Sequence, residues 1–152
     1  MNQKVIVAGV GMVPFAKPGA SEPYNVMGAQ AARLALADAG VDYATIQQAY
    51  VGYVYGDSTC GQRALYPVGM TGIPIVNVNN NCSTGSTALF LAAQAIRGGL
   101  VDCALALGFE KMQPGSLGGG ADDRESPLGR HVKALAEIDE FAFPVAPWMF
   151  GA

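Results

Sequence analysis

Residues 73–99 read IPIVNVNNNCSTGSTALFLAAQAIRGG, and this stretch decides the fold. Ile73, Ile75, Val76 and Val78 form a β-branched run that predicts a strand over Ile73–Val78. Pro74 has no N–H to give to a ladder, which suggests an edge position or a first strand residue. Asn79, Asn80 and Asn81 end it. After Cys82 the pattern changes period: Ser83 and Thr84 offer capping side chains, apolar residues recur at helical spacing, and Gly98-Gly99 closes the helix. A strand passing through a short polar turn into a helix is a unit of α/β architecture.

Working outward, the same alternation continues. Lys4–Ala8 (KVIVA) predicts a buried interior strand ended by Gly9, and Val26–Ala39 a helix with Gly40 as its C-cap. Gln48–Tyr55 (QAYVGYVY) predicts a second strand, and Gly61–Tyr66 a short helix after the capping residues Asp57, Ser58 and Thr59. Val101–Phe109 (VDCALALGF) predicts a fourth strand. The order implies an α/β domain over residues 1–111, a mixed, mainly parallel sheet with helices on its faces. Residues 112–152 read as the start of an irregular loop region. Gln113–Arg130 holds five glycines and two prolines, and only His131–Ile138 has a helical pattern. The Pro-broken tail carries Phe141, Phe143, Trp148, Met149 and Phe150. A folded domain rarely ends with such residues uncovered, so the chain is expected to be a fragment or one subunit of a split protein.

Composition narrows the function classes. Of the 152 residues, 51% are apolar and 14% charged, against a typical charged fraction of about 25%. No apolar run approaches the roughly 18 residues of a spanning helix, and the N-terminus lacks a secretory signal pattern. Burial against another chain is the expected use of the excess apolar surface. The net charge of −3 and the lack of a Lys/Arg cluster argue against nucleic acid as a partner. Three cysteines in dissimilar settings argue against a disulfide framework and for a reducing, cytoplasmic setting.

The chemistry concentrates at Asn79–Ser86. Cys82 lies at a strand-to-helix junction, where free N–H groups and the positive end of the helix dipole favour a thiolate. A nucleophile and a buried small residue remain equally good readings of Cys82 on this pattern alone. For the other cysteines the structural reading leads: Cys103 lies inside an apolar strand, and Cys60 follows the polar loop Asp57-Ser58-Thr59. His131 reads as part of a solvated helix face. Gly9-Val10-Gly11 fails the dinucleotide pattern because Pro14 stands where its last glycine belongs. Gly118–Gly120 lies too far from a strand–helix turn to cradle phosphate.

The run Gly52–Met112, with NNNCSTGS at its centre, GDSTCGQRA upstream and ALGFEKM downstream, resembles the N-terminal half of thiolases. Within them it is most similar to the sterol-carrier-protein-2 thiolase, or non-specific lipid-transfer protein, branch. The resemblance implies that Cys82 is the acyl-accepting cysteine of an acyltransferase of lipid or sterol side-chain metabolism. The reaction implied is thiolytic cleavage of a 3-ketoacyl-CoA or its reverse, with coenzyme A as cosubstrate and no bound cofactor or metal. The activating His and a second, acid–base Cys belong to motifs of the C-terminal half, which His131 and Cys60 do not match. Met149 and Phe150 would line an acyl channel. A homodimer is implied, with Ile73–Val78 pairing with its two-fold mate, and a partner chain is an alternative source of the C-terminal half. The other function class is a non-catalytic thiolase-like subunit for lipid binding, lipid transfer or assembly.

Overall fold

The computed structural model describes residues 4–116, 123 and 125–138. The chain divides into two compact units, Met1–Pro114 and Gly115–Ala152. The first holds α1 (Tyr24–Ala39), a 3-10 turn (Tyr43–Thr45), β1 (Gln48–Gly52), α2 (Cys60–Leu65), β2 (Ile75–Val78), α3 (Thr84–Arg97) and β3 (Ala104–Gly108). Among the described residues the three strands form one parallel sheet in the order β2-β1-β3. The fold is α/β; β2 lies at an edge of the described sheet and begins directly after Pro74. Pro74 keeps its one useful group: its carbonyl accepts the Ala49 N–H at 3.0 Å.

Side-chain alternation along the strands builds two cores. Ala49 and Val51 of β1 join Leu105 and Leu107 of β3 on the face covered by α1 and α2, where Ala32, Leu36, Ala64 and Leu65 complete the cluster. Tyr50, Ala104 and Ala106 point to the other face and meet Ala88, Ala92 and Ala95 of α3. Those alanines, at helical spacing, let α3 lie close to the sheet. Leu65 and Val51 are fully buried, and each contributes about 1.5–3 kcal/mol relative to exposure.

The structure departs from expectation at the N-terminus. Residues 4–11 form no strand, and Ile6 and Val7 are each 71% exposed. The β-branched run has strand propensity but joins no ladder among the described residues. Instead Gly9 and Gly11 press onto α1, where any Cβ would overlap the backbone of Ala31, Ala35 and Ala39. The Val10 N–H donates to Asp38 Oδ2 at 2.8 Å. The strand expected over Gln48–Tyr55 ends at Gly52 because a carboxylate replaces the ladder: Glu110 accepts the N–H groups of Val54 at 2.8 Å and Tyr55 at 3.1 Å. The second unit holds α4 (Gly129–Ile138), on which His131 is exposed and Val132 and Leu135 are half-buried. No helix among the described residues is long and apolar enough to cross a membrane.

Candidate active site

Between β2 and α3 the backbone reverses over Asn79–Ser83. Asn81 adopts a left-handed φ of 49°, a region that Asn tolerates better than most side chains because its short amide bonds locally. The hydroxyls of the turn are spent on its backbone. Thr84 Oγ1 accepts the Asn80 N–H at 2.8 Å and donates to the Asn81 carbonyl. Ser83 Oγ donates to the Asn80 carbonyl at 2.8 Å, and Thr87 Oγ1 donates to the Ser83 carbonyl at 2.9 Å while accepting from Asn80 Nδ2 at 3.0 Å. Two threonines, a serine and an asparagine thus fix the turn, and the Cys82 side chain is left exposed on it.

The turn is also bolted to the sheet. Thr84 is buried against Gly52 at the carboxyl end of β1, where a Cβ would come within 2.8 Å of Thr84 Cγ2. A Cβ at Gly108, at the end of β3, would sit 3.5 Å from the Gly85 Cα, an ordinary contact. Gly85 itself faces open space. Thr84 N–H donates to the Asn81 carbonyl at 3.1 Å, and Ser83 makes no side-chain capping bond to α3, so the N–H groups of Gly85 and Ser86 are open to a ligand or to water. No Lys, Arg, Asp or Glu occurs from Ala64 to Ile96, which keeps the turn polar but uncharged.

Cys60 is placed differently. It is 2% exposed, at the start of α2 and on the α1/α2 face of the sheet. Its N–H donates to the Tyr53 hydroxyl at 3.3 Å, which in turn donates to the Asp57 carbonyl at 2.8 Å. Phe109 stacks on Tyr24 and on Tyr53, with ring centroids 5.3 and 5.5 Å apart. A hydrogen bond with the Cys60 side chain and then burial push the Tyr24 hydroxyl above the ordinary tyrosine value; burial first does the same for Tyr53. Cys103 is half-buried just before β3. Met149 and Phe150 lie outside the described residues.

Two residues near the site carry roles the sequence reading missed. Glu110 closes the loop after β1, as above. Lys111 Nζ donates to the carbonyls of Ser21 and Glu22, at 2.5 and 3.0 Å, and so pins the approach to α1. The signal was the charged pair directly behind an apolar strand, at the end where a parallel sheet presents unpaired amides.

The sequence matches the family "Thiolase, N-terminal domain" over residues 5–130. It is 57% identical to human Sterol carrier protein 2 over 155 aligned positions, covering 98% of this chain and 28% of that protein. It is 48% identical to Non-specific lipid-transfer protein-like 2 of Caenorhabditis elegans, covering 97% of this chain and 37% of that one. Among solved structures, 3-oxoacyl-[acyl-carrier-protein] synthase III from Aquifex aeolicus superposes with a TM-score of 0.51 at 19% identity, over 59% of this chain and 30% of that chain, which is a likeness of fold. The chain spans little more than a quarter of the Sterol carrier protein 2 relatives it matches. It belongs to the thiolase family and carries that family's N-terminal domain.

Proposed function

We propose that the chain is the nucleophilic half of a thiolase-type acyltransferase acting on 3-ketoacyl-CoA, with Cys82 accepting the acyl group. One observation carries the reading: on a turn whose Ser83 and Thr84 hydroxyls are bonded back to its own backbone, the Cys82 thiol is exposed, beside the open space at Gly85 in the first turn of α3. Cys82 as thiolate attacks the keto carbon, and the adjacent C–C bond breaks. The short acyl-CoA leaves as a carbanion equivalent and takes a proton. The coenzyme A thiol then attacks the Cys82 thioester, releases the shortened acyl-CoA and regenerates the thiolate. Proton transfer needs a positioned acid and base. By the family resemblance these come from C-terminal-half motifs, on the same polypeptide or on a partner chain. The N–H groups of Gly85 and Ser86 would stabilise developing negative charge.

The test is intact-mass analysis of the 152-residue chain after exposure to an acyl-CoA thioester. One acyl group per chain, mapped to Cys82 and absent from Cys82→Ala, is expected. An adduct that persists in Cys82→Ala, or none on the native chain, overturns the reading. A second reading, lipid binding or transfer without catalysis, draws on the names of the relatives: human Sterol carrier protein 2 and a nematode lipid-transfer-like protein. Lipid bound by native chain and Cys82→Ala alike, with no acylation, favours it.

We further propose a homodimer formed by β2. It lies at the sheet edge, Val76 is 37% exposed, and an uncharged edge strand is a template for another strand. Sedimentation checks this: a Val76→Lys chain that associates as the native one does would remove β2 from the interface.

A further inference from the structure

We infer that Gly52 is a positioning residue for Cys82: its missing side chain sets how deep the start of α3 sits on the sheet, and so where the thiol turn stands. This rests on the acyl-transfer reading of Cys82. Gly52 has no left-handed φ, so its backbone would admit any residue. The space above it would not. A Cβ at Gly52 would lie 2.7 Å from the Thr84 carbonyl oxygen, 2.9 Å from the carbonyl carbon and 2.8 Å from Cγ2. Two of those three atoms are backbone, so a change of rotamer cannot relieve the overlap.

The consequence depends on which side would yield. β1 is the central strand, paired at Gly52 with Val78 on one side and with Gly108 on the other. Bonds continue just past that rung: the Tyr53 N–H donates to the Val78 carbonyl at 3.3 Å, and the Phe109 N–H donates to the Gly52 carbonyl at 3.1 Å. Held along both edges, β1 cannot step aside. The body of α3 is fixed as well, because Ala88, Ala92 and Ala95 are buried with Tyr50 against Ala104 and Ala106. What remains free to move is the start of the helix, which is continuous with the Cys82 turn.

Thr84 carries that movement to the thiol. Its Oγ1 accepts the Asn80 N–H at 2.8 Å and donates to the Asn81 carbonyl, and its N–H donates to the same carbonyl at 3.1 Å. The residues before Cys82 are thus tied to one threonine after it, and that threonine rests on Gly52. Lifting Thr84 re-aims Cys82 relative to the N–H groups of Gly85 and Ser86. Gly108 provides an internal comparison. It shares the rung with Gly52 and also lacks a left-handed φ. A Cβ at Gly108 would meet the Gly85 Cα at 3.5 Å and the Gly52 carbonyl oxygen at 3.9 Å, both ordinary contacts. The same added methyl group is therefore a displacement at one glycine and a fit at the other.

The experiment compares the native 152-residue chain with Gly52→Ala and Gly108→Ala by three readouts. These are the rate of Cys82 acylation at saturating acyl-CoA, iodoacetamide labelling of Cys82, and amide hydrogen exchange at Asn80, Ser83 and Thr84, whose N–H groups tie the turn. A misplacement of about 1 Å can cost a positioned reaction about a hundredfold, so Gly52→Ala should slow acylation by about tenfold or more. It should also speed exchange at the three amides. Iodoacetamide needs only access, so labelling should stay close to the native rate, a split that general unfolding would not produce. Gly108→Ala should match the native chain throughout. Acylation and exchange unchanged in folded Gly52→Ala, or altered equally by both substitutions, overturn the inference. If circular dichroism shows Gly52→Ala unfolded, Thr84→Ser takes its place: it keeps the hydroxyl and removes the methyl group seated on Gly52. The same split between acylation and labelling is expected there, and its absence overturns the inference. If no acyl-CoA acylates the native chain, the acyl-transfer reading falls and exchange alone decides. Exchange faster in Gly52→Ala than in Gly108→Ala then supports Gly52 as the seat of the turn, and equal exchange overturns it.

Discussion

The chain makes the same backbone device twice and turns it in opposite directions. Cys60 follows β1 and Cys82 follows β2; each opens toward a helix, and each is preceded by a non-glycine residue with left-handed φ, Thr59 at 66° and Asn81 at 49°. Among the described residues these are the two non-glycine positions of that kind. Yet Cys60 is 2% exposed and Cys82 stands in solvent. The difference lies in what covers each junction. The first faces the α1/α2 side, under Tyr24, Phe109 and Tyr53, and its cysteine begins the helix. The second leads to α3 on the opposite face, and its cysteine stops two residues short of the helix, on a turn held by its own hydroxyls. A strand–cysteine–helix pattern in sequence therefore specifies a junction, and the neighbouring elements decide whether it is a core or a reactive site.

The largest effect that sharpens the comparison is thiol reactivity. Alkylation by iodoacetamide reaches a buried thiol only through opening, and openings span free energies from near zero to the global stability. Cys82 should therefore be labelled faster than Cys60 by about a hundredfold or more in the native chain. Cys103, half-buried, should fall between them. Peptide mapping after brief labelling near neutral pH measures the order. Labelling led by Cys60 or Cys103 breaks the contrast between inward and outward junctions. In guanidinium the rates should converge.

Stability separates the junctions next. Leu65, at the end of α2, is fully buried beneath the first junction. Leu65→Ala should cost about 2–5 kcal/mol in chemical denaturation, and native-state alkylation of Cys60 should rise in step. Cys82 labelling should hold steady, because its exposure does not depend on opening. Equal acceleration at both sites would mean that the Cys82 turn is not independently held. Thr84→Val tests that hold directly. It removes the acceptor for the Asn80 N–H and the donor to the Asn81 carbonyl, keeping the shape near Gly52. A loss of about 1–3 kcal/mol is expected, with altered Cys82 labelling and unchanged Cys60 labelling. A neutral result would show that water replaces both bonds.

Much of this was legible in residues 73–99. The β-branched run, the three asparagines and the alanine-rich helix carry their structure in local chemistry, and the strand and the exit to α3 followed from them; Pro74 left an edge position and a first strand residue open, and the family resemblance pointed to the edge. Lys4–Ala8 was misread because strand propensity states a preference for extended backbone and says nothing about a partner; Gly9 and Gly11 gave that segment α1 to lie on. The end of β1 depended on Glu110, 56 residues from Val54, a contact no local pattern encodes. Cys60 and Cys82 could be ranked by family motif, but their exposure is tertiary. It is set by Phe109 and Tyr24 over one, and by hydroxyls tied back to the backbone at the other.

The smallest expected effect concerns the two left-handed residues themselves. A β-branched side chain in that region is strained by about 1–2 kcal/mol, whereas Asn tolerates it. Glycine removes the strain but adds freedom to the unfolded chain, a cost of about 0.4–1 kcal/mol. Thr59 is exposed, and its hydroxyl bonds only locally, to the Ser58 carbonyl, so little else is lost there. Thr59→Gly should therefore stabilise the chain by about 0.5–1 kcal/mol, and Asn81→Gly should be neutral or slightly destabilising. Urea denaturation of both variants against the native chain resolves the difference. If Asn81→Gly stabilises as much as Thr59→Gly, the Cys82 turn stores strain that its hydrogen bonds must hold. The two junctions would then be alike in backbone strain and differ in cover alone.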